Sequence, residues 1–250
     1  MFRHVLVSAG EHPSLAAGQA WPGLLSPREA EILAGLTFLP RRRKWLLGRA
    51  AAKRLVLEFL RPRAVAEASI SILNRPTGQP FVLIEGQGEW DYPISISHRS
   101  EAGLAAAPDH RNARIGADIE TIESRDLAMV RQFFTDSEAE LVAAGGANRD
   151  EIVTRIWSAK EAVLKLLALG LRLDTRAITV KLTGEPVPEC PTGWQPIEAK
   201  VRADTPGVNA PTPVRVVWRR EGGHVLTVAV SSGSATGTGN KGPGPAGPGC

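Results

Sequence analysis

The chain has 250 residues, 43% hydrophobic and 22% charged. That balance excludes a disordered or low-complexity chain and allows a normal buried core. The formal net charge of +4 favours an anionic substrate or an acidic partner. A nucleic-acid-binding protein is a further reading of this charge, weakened by having only six Trp, six Phe and one Tyr and no recognisable stacking platform.

Two cysteines, Cys190 and Cys250, exclude a disulfide framework and lack metal-ligand spacing. No apolar run approaches the ~20 residues of a membrane span, and the N-terminus carries no leader pattern. A cytoplasmic protein is expected.

Along the chain, "SPREAEILAGL" (Ser26 to Leu36) places a capping Ser before an acidic first turn and a short apolar helix. The basic block Arg41 to Lys44 follows. It is expected just before a second helix that starts around Trp45 and runs through "WLLGRAAAKRLVLEFL", so that its charges gather at the helix N-terminus. Arg49 and Lys53 lie one turn apart on that helix and can grip one anion together. Strand-like sequence follows at Ala68 to Leu73, and a strand–turn–strand pattern at Pro93 to Ala107. There Ser95 and Ser97 alternate with Ile94 and Ile96 and lead to His98, which is either a phosphate donor or a structural hydrogen-bonder.

"RIGADIETIESR" (Arg114 to Arg125) carries Asp118 and Glu120 on a strand, where residues i and i+2 share a face. Two carboxylates held that close repel unless a cation or proton lies between them. Hard oxygen ligands of this kind suit Mg²⁺; the alternative is a solvated strand end. "TDSEAELVAAG" (Thr135 to Gly145) then repeats the capped-helix pattern. "WSAKEAVLKLLALGL" (Trp157 to Leu171) is a second helix, with Trp157, Glu161 and Lys165 on one stripe at four-residue spacing. Lys160 is offset from that stripe. Strand-like "AITVKL" (Ala177 to Leu182) and a hairpin turning at Gly222-Gly223 complete the body, and residues 231–250 read as a disordered Gly/Pro-rich tail.

The order of helices, Trp positions and strands repeats, with Arg49 matching Glu161, Ala50 matching Ala162 and Lys53 matching Lys165. The expected fold is α+β: a pseudo-twofold monomer of two similar subdomains, residues 1–110 and 111–230. Ligand sites favour the cleft between such halves. There is no phosphate-binding P-loop, dinucleotide fingerprint or zinc spacing.

Taken together, "IGADIE" (Ile115 to Glu120) and "WSAKEAVLK" (Trp157 to Lys165) resemble the two signature motifs of the surfactin-type 4′-phosphopantetheinyl transferases. "RRRKWLLGRAAAK", "NRPTGQP", "ISISH" and "FFTDSE" resemble the supporting motifs, in the family's order, so the likeness covers roughly residues 20 to 230. The resemblance implies transfer of the 4′-phosphopantetheine arm of coenzyme A to a serine of an acyl or peptidyl carrier protein, with release of adenosine 3′,5′-bisphosphate. It implies Mg²⁺ held by Asp118, Glu120 and Glu161, and Lys165, with Lys160, on phosphate oxygens. Arg49, Lys53 and His98 would sit at the 3′-phosphate region, and Gln79 and Ser97 also among the coenzyme A contacts. Glu161 is a candidate for the base, for a metal ligand, or for both. Gln79 stands where relatives often carry a phosphate-contacting Lys, which leaves Arg75 as a substitute. A non-catalytic coenzyme A or carrier-binding protein of the same fold is the competing expectation. Neither nucleic acid nor membrane is an expected partner.

Overall fold

The computed structural model describes residues 1–99, 101–168, 173–182, 191–203, 205 and 214–231. Strand β1 (Phe2–Ser8) opens the chain and is followed by helices α1 (Pro13–Ala16), α2 (Pro27–Ala34) and α3 (Leu39–Leu60). Strands β2 (Ile70–Asn74), β3 (Pro80–Ile84), β4 (Gly88–Glu89), β5 (Ser95–His98), β6 (Ala102–Pro108) and β7 (Arg114–Thr121) come next. Helices α4 (Leu127–Phe133), α5 (Asp136–Ala144) and α6 (Arg149–Leu167) then precede strands β8 (Ile178–Lys181), β9 (Gln195–Val201), β10 (Val214–Glu221) and β11 (His224–Ser231). Helices and antiparallel sheets occupy separate layers, so the fold class is α+β. None of the described helices is long and apolar enough to cross a membrane.

The main strands form a three-stranded sheet, β1-β6-β5, and a five-stranded sheet, β7-β11-β10-β9-β8; β2-β3-β4 is a small third sheet. Alternation along each strand sends side chains to two different cores. In β6, Ala105 and Ala107 pack with Leu46, Leu47 and Ala50 of α3, while Leu104 and Ala106 face the other way. In β11, Val225 and Ala229 pack with Ile156 and Val163 of α6, while Leu226 and Val228 face the other way. The outward-turned sets meet each other, with Ile115, Ala117 and Ile119 of β7, in a shared core. Each long helix therefore covers one sheet, and the two sheets close on one another.

Two glycines set how closely the helices approach. A Cβ at Gly103 would lie 2.4 Å from the backbone of Leu47, and one at Gly116 would lie 1.9 Å from the Ala162 carbonyl oxygen. Any larger residue would push helix and strand apart.

Both capping helices form as their sequences predict. Ser26 and Glu29 make a reciprocal capping box on α2, and Thr135 and Glu138 make one on α5. The same two glutamates also reach inward. Glu29 pairs with Lys53 at 2.5 Å and accepts from the Ile72 amide at 3.0 Å; Glu138 pairs with Lys160 at 2.8 Å and accepts from the Val180 amide at 2.7 Å. Lys53 and Lys160 thus make the same kind of contact with a capping glutamate, although the sequence repeat aligns Lys53 with Lys165. Each ion pair joins a short helix, a long helix and a strand.

The long helices begin earlier than expected, at Leu39 and Arg149, well before Trp45 and Trp157. The Arg41–Lys44 block thus lies inside the first turns of α3. Arg42 is directed to the carbonyls of Gly18, Leu33 and Leu36, where it completes the C-terminal end of α2. At the other end of the chain, Ser231 is still paired with Arg114 and Val214, so β11 takes the first residue of the expected tail. The remainder of that tail, residues 232–250, lies outside the described residues, as do Cys190 and Cys250.

Candidate active site

The period-two pattern of β7 turns Ile115, Ala117 and Ile119 into the shared core and Gly116, Asp118 and Glu120 toward α6. Trp157, Glu161 and Lys165 meet them from the helix. Trp157 Nε1 donates to Glu120 Oε1 at 3.2 Å, and Lys165 Nζ donates to Asp118 Oδ1 at 2.7 Å. Glu161 lies between these contacts on the same helical stripe. The two sequence patterns thus face each other along one helix–strand contact.

Strand β5 closes the third side. Its edge runs beside β7 without a strand ladder, and its serines make the connection. Ser95 Oγ accepts from the Ala117 amide at 2.8 Å. Ser97 Oγ donates to Asp118 Oδ1 at 2.9 Å and accepts from Lys165 Nζ at 2.9 Å. Ser97 thus meets the acid–lysine pair directly. The other alternate residues, Ile96 and His98, turn to α3, where both would contact a Cβ placed at Gly48.

The carboxylates have different environments. Burial alone would push the Asp118 carboxyl up, but the Lys165 ammonium, with the hydroxyls of Ser97 and Ser158, outweighs it and holds the pKa below the ordinary carboxylate value. Asp118 Oδ2 is buried and has no well-formed hydrogen bond, and the same holds for Ser158 Oγ. Burial, reinforced by the charge of Asp118, raises Glu161 above the ordinary glutamate value. The Glu161 carboxylate makes no hydrogen bond among the described residues. Glu120 is the most fully engaged: its Oε2 accepts from Arg99 and, at 2.7 Å, from Arg125.

Hard oxygen donors are present, one carboxylate oxygen is buried without a partner, and burial with the charge of Asp118 raises the Glu161 pKa in the absence of a further cation; this donor set fits a divalent cation. Among the described residues, the three acids are not gathered round a common point. Arg99, Arg125 and Lys165 hold two of them in other directions.

The remaining candidates divide by burial. Arg49 is buried beside Trp45, donates to Asn74 Oδ1 at 3.2 Å, and has its pKa pulled down to about 10 by desolvation. His98 is solvent-accessible at the end of β5. Packing around its ring lowers its pKa, and the nearby charges of Lys165, Lys44 and Arg49 lower it further. Four basic side chains from α3, β5 and α6 therefore lie in one electrostatic neighbourhood. Gln79 and Lys165 both line a cavity of about 660 Å³, with Ser95, Arg114 and Ala168 also on its wall. Arg75, the expected substitute for a lysine near Gln79, is paired with Glu89 and stacked on Phe81.

The structure does not bring Lys53 or Lys160 to this cleft. Both are fully buried. Lys53 Nζ donates to the carbonyls of Leu24 and Glu67, and Lys160 Nζ to those of Thr175 and Ile178, besides their glutamates. Ammonium groups with every proton engaged inside the protein have none left for a phosphate. Sequence reading missed Arg99 and Arg125, whose only signal was proximity to "ISISH" and "DIE", and Ser158, which sits three residues before Glu161 on α6.

Fold and cleft define an α+β protein with carboxylates and cations brought together by one strand, one helix and the edge of a second sheet. Residues 114–210 match the family model of the 4′-phosphopantetheinyl transferase superfamily. The chain is 28% identical over 147 residues to the 4′-phosphopantetheinyl transferase psf-1 of Bacillus pumilus, across 58% of this chain and 59% of that protein. It is 25% identical over 136 residues to the 4′-phosphopantetheinyl transferase gsp of Aneurinibacillus migulanus, across 54% and 52%. The chain thus aligns with little more than half the length of these relatives. A holo-(acyl-carrier-protein) synthase from Bacillus anthracis, solved with CoA (3′,5′-ADP), aligns at a TM-score of 0.35 and 19% identity, covering 42% of this chain and 91% of that one. By its motifs, by the family match over residues 114–210 and by these relatives, the chain is similar to the 4′-phosphopantetheinyl transferases.

Proposed function

We propose that this protein transfers the 4′-phosphopantetheine arm of coenzyme A to a serine of an acyl or peptidyl carrier protein. The observation that carries the reading is the facing of Asp118 and Glu120 on β7 against Glu161 and Lys165 on α6, beside a cavity that Lys165 lines. Asp118, Glu120 and Glu161 would hold Mg²⁺, which would supply positive charge beside the pyrophosphate oxygens.

Lys165 neutralises charge on the same oxygens. Arg49 and His98, with Lys44 near them, receive the 3′-phosphate, and Gln79 orients the arm at the cavity wall. A phosphate beside His98 raises its pKa and makes it a better donor. Lys53 and Lys160 are structural in this scheme.

The carrier serine oxygen attacks the β-phosphoryl. The new O–P bond forms as the P–O bond to the α-phosphate breaks, and adenosine 3′,5′-bisphosphate leaves. Glu161 takes the serine proton; its raised pKa suits a carboxylate to that task near neutral pH. Positioning and cationic stabilisation supply most of what such a transfer requires.

The repeated Glu29–Lys53 and Glu138–Lys160 contacts support reading residues 1–110 and 111–230 as two related subdomains; a cytoplasmic monomer is part of the same proposal. The decisive test is incubation with coenzyme A, Mg²⁺ and a panel of apo acyl and peptidyl carriers. A mass gain of one phosphopantetheine arm on a carrier serine is expected. No gain on any carrier, with coenzyme A still bound, would favour a binding protein instead.

A further inference from the structure

We infer that Arg99 is a displaceable counter-ion of Glu120: it holds the carboxylate oxygen that a divalent cation would take, and a metal binds there by moving it off. This rests on the reading of Asp118, Glu120 and Glu161 as metal-binding carboxylates.

Three observations carry it. First, the carboxylates already have counter-ions: Arg99 and Arg125 on Glu120, Lys165 on Asp118, and Glu123 beside Arg125 as a further acid. A dication adds two positive charges next to these cations, which disfavours binding unless a cation withdraws or an anion arrives with it. Second, both oxygens of Glu120 are occupied, Oε2 by the two arginines and Oε1 by Trp157. With two arginines on it, Oε2 has both lone pairs taken, so a metal reaches that oxygen only by displacing one of them.

Third, the two arginines differ in freedom. Arg125 is only 15% exposed, and its carbonyl accepts from Arg149 at 3.0 Å. Arg99 is 32% exposed, stands next to His98 at the end of β5, and interacts electrostatically with Asp118, Glu123 and Glu161 as well. Arg99 is the member free to leave.

Once released from Glu120, its guanidinium remains in the cleft near Asp118 and Glu161, where the reading places phosphate oxygens. Guanidinium pairs with phosphate oxygens in the same forked geometry that it uses with carboxylate. Arg99 therefore makes metal and phosphate binding mutually reinforcing, and the coupling is reciprocal. It acts as a positioning residue that sets metal affinity.

The test uses Mn²⁺ as probe, titrated into the full chain and followed by calorimetry and by electron paramagnetic resonance, with no carrier present. Arg99→Gln should bind Mn²⁺ about tenfold tighter than the unmodified chain, a change of roughly 1.4 kcal/mol. Arg99→Lys keeps the charge but loses the fork, so it should fall between the two; circular dichroism checks that each variant is folded. Asp118→Asn should lose Mn²⁺ binding in both backgrounds.

Unchanged affinity in Arg99→Gln, with binding lost in Asp118→Asn, would overturn the counter-ion role and leave the metal reading standing. Mn²⁺ binding indifferent to Asp118→Asn, or absent from both the unmodified chain and Arg99→Gln, would overturn both. Binding seen only in Arg99→Gln would support the role in its strongest form.

Discussion

Lys165 Nζ lies 2.7 Å from Asp118 Oδ1, and the same nitrogen donates to Ser97 Oγ at 2.9 Å and to the Ala117 carbonyl at 3.1 Å. One ammonium thus ties α6 to β7 and to the edge of β5. The pair is a structural joint as well as the centre of the proposed chemistry.

The first prediction concerns acid stability. The Asp118 pKa is held down in the fold, so its contribution is present above the ordinary aspartate value and is lost as pH falls through the lowered one. Lys165→Met removes the strongest group holding that pKa down. The variant should be less stable at pH 7 by about 2–3 kcal/mol, somewhat under the cost of breaking a fully buried pair because Lys165 is partly exposed. Its loss of stability should also begin at higher pH. Urea unfolding across a pH series measures both, and an unshifted acid limb would show that Lys165 does not govern Asp118.

Glu161 should behave in the opposite sense. Its pKa is raised in the fold, so its contribution is fully present below the ordinary glutamate value and is lost as pH rises through the raised one. Glu161→Gln does not titrate. It should therefore melt at a higher temperature than the unmodified chain at neutral pH, with the gap closing in acid. Carrier modification should fall by about 10²-fold or more, the usual contribution of a positioned base. Equal melting temperatures at pH 7 would contradict the electrostatic picture of the cleft, and retained transfer would remove Glu161 from the mechanism.

The buried lysines should separate fold from function. Lys53→Met or Lys160→Met leaves a buried glutamate without its cation, which costs roughly 3–5 kcal/mol. Coenzyme A affinity of the folded fraction, measured at low temperature, should be unchanged in Lys160→Met and much weakened in Lys165→Met. A Lys160→Met protein of normal melting temperature but poor coenzyme A binding would return Lys160 to the cleft.

Local rules carried the sequence reading a long way. Ser26 with Glu29 and Thr135 with Glu138 announced two helix starts, because a capping box is complete within four residues. The hairpin at Gly222-Gly223 was equally local, with Gly222 at φ +55. The starts of α3 and α6 were not legible. Trp45 and Trp157 looked like beginnings, yet the amphipathic pattern ahead of them is blurred by charged residues that serve distant partners, as Arg42 serves α2 and Arg149 serves the Arg125 carbonyl. Strand β1 went unread for a similar reason: its pairing partner, β6, lies far along the chain.

Backbone periodicity alone places Gly116, Asp118 and Glu120 on one face of a strand, and Trp157, Glu161 and Lys165 on one stripe of a helix, whatever surrounds them. Which cation meets which acid depends instead on how distant segments pack. Lys53 and Lys160 face inward to Glu29 and Glu138, while Arg99 and Arg125 close on Glu120. An ion pair depends on where two chain segments approach and how much water they exclude, and neither is written in the spacing of residues along one element.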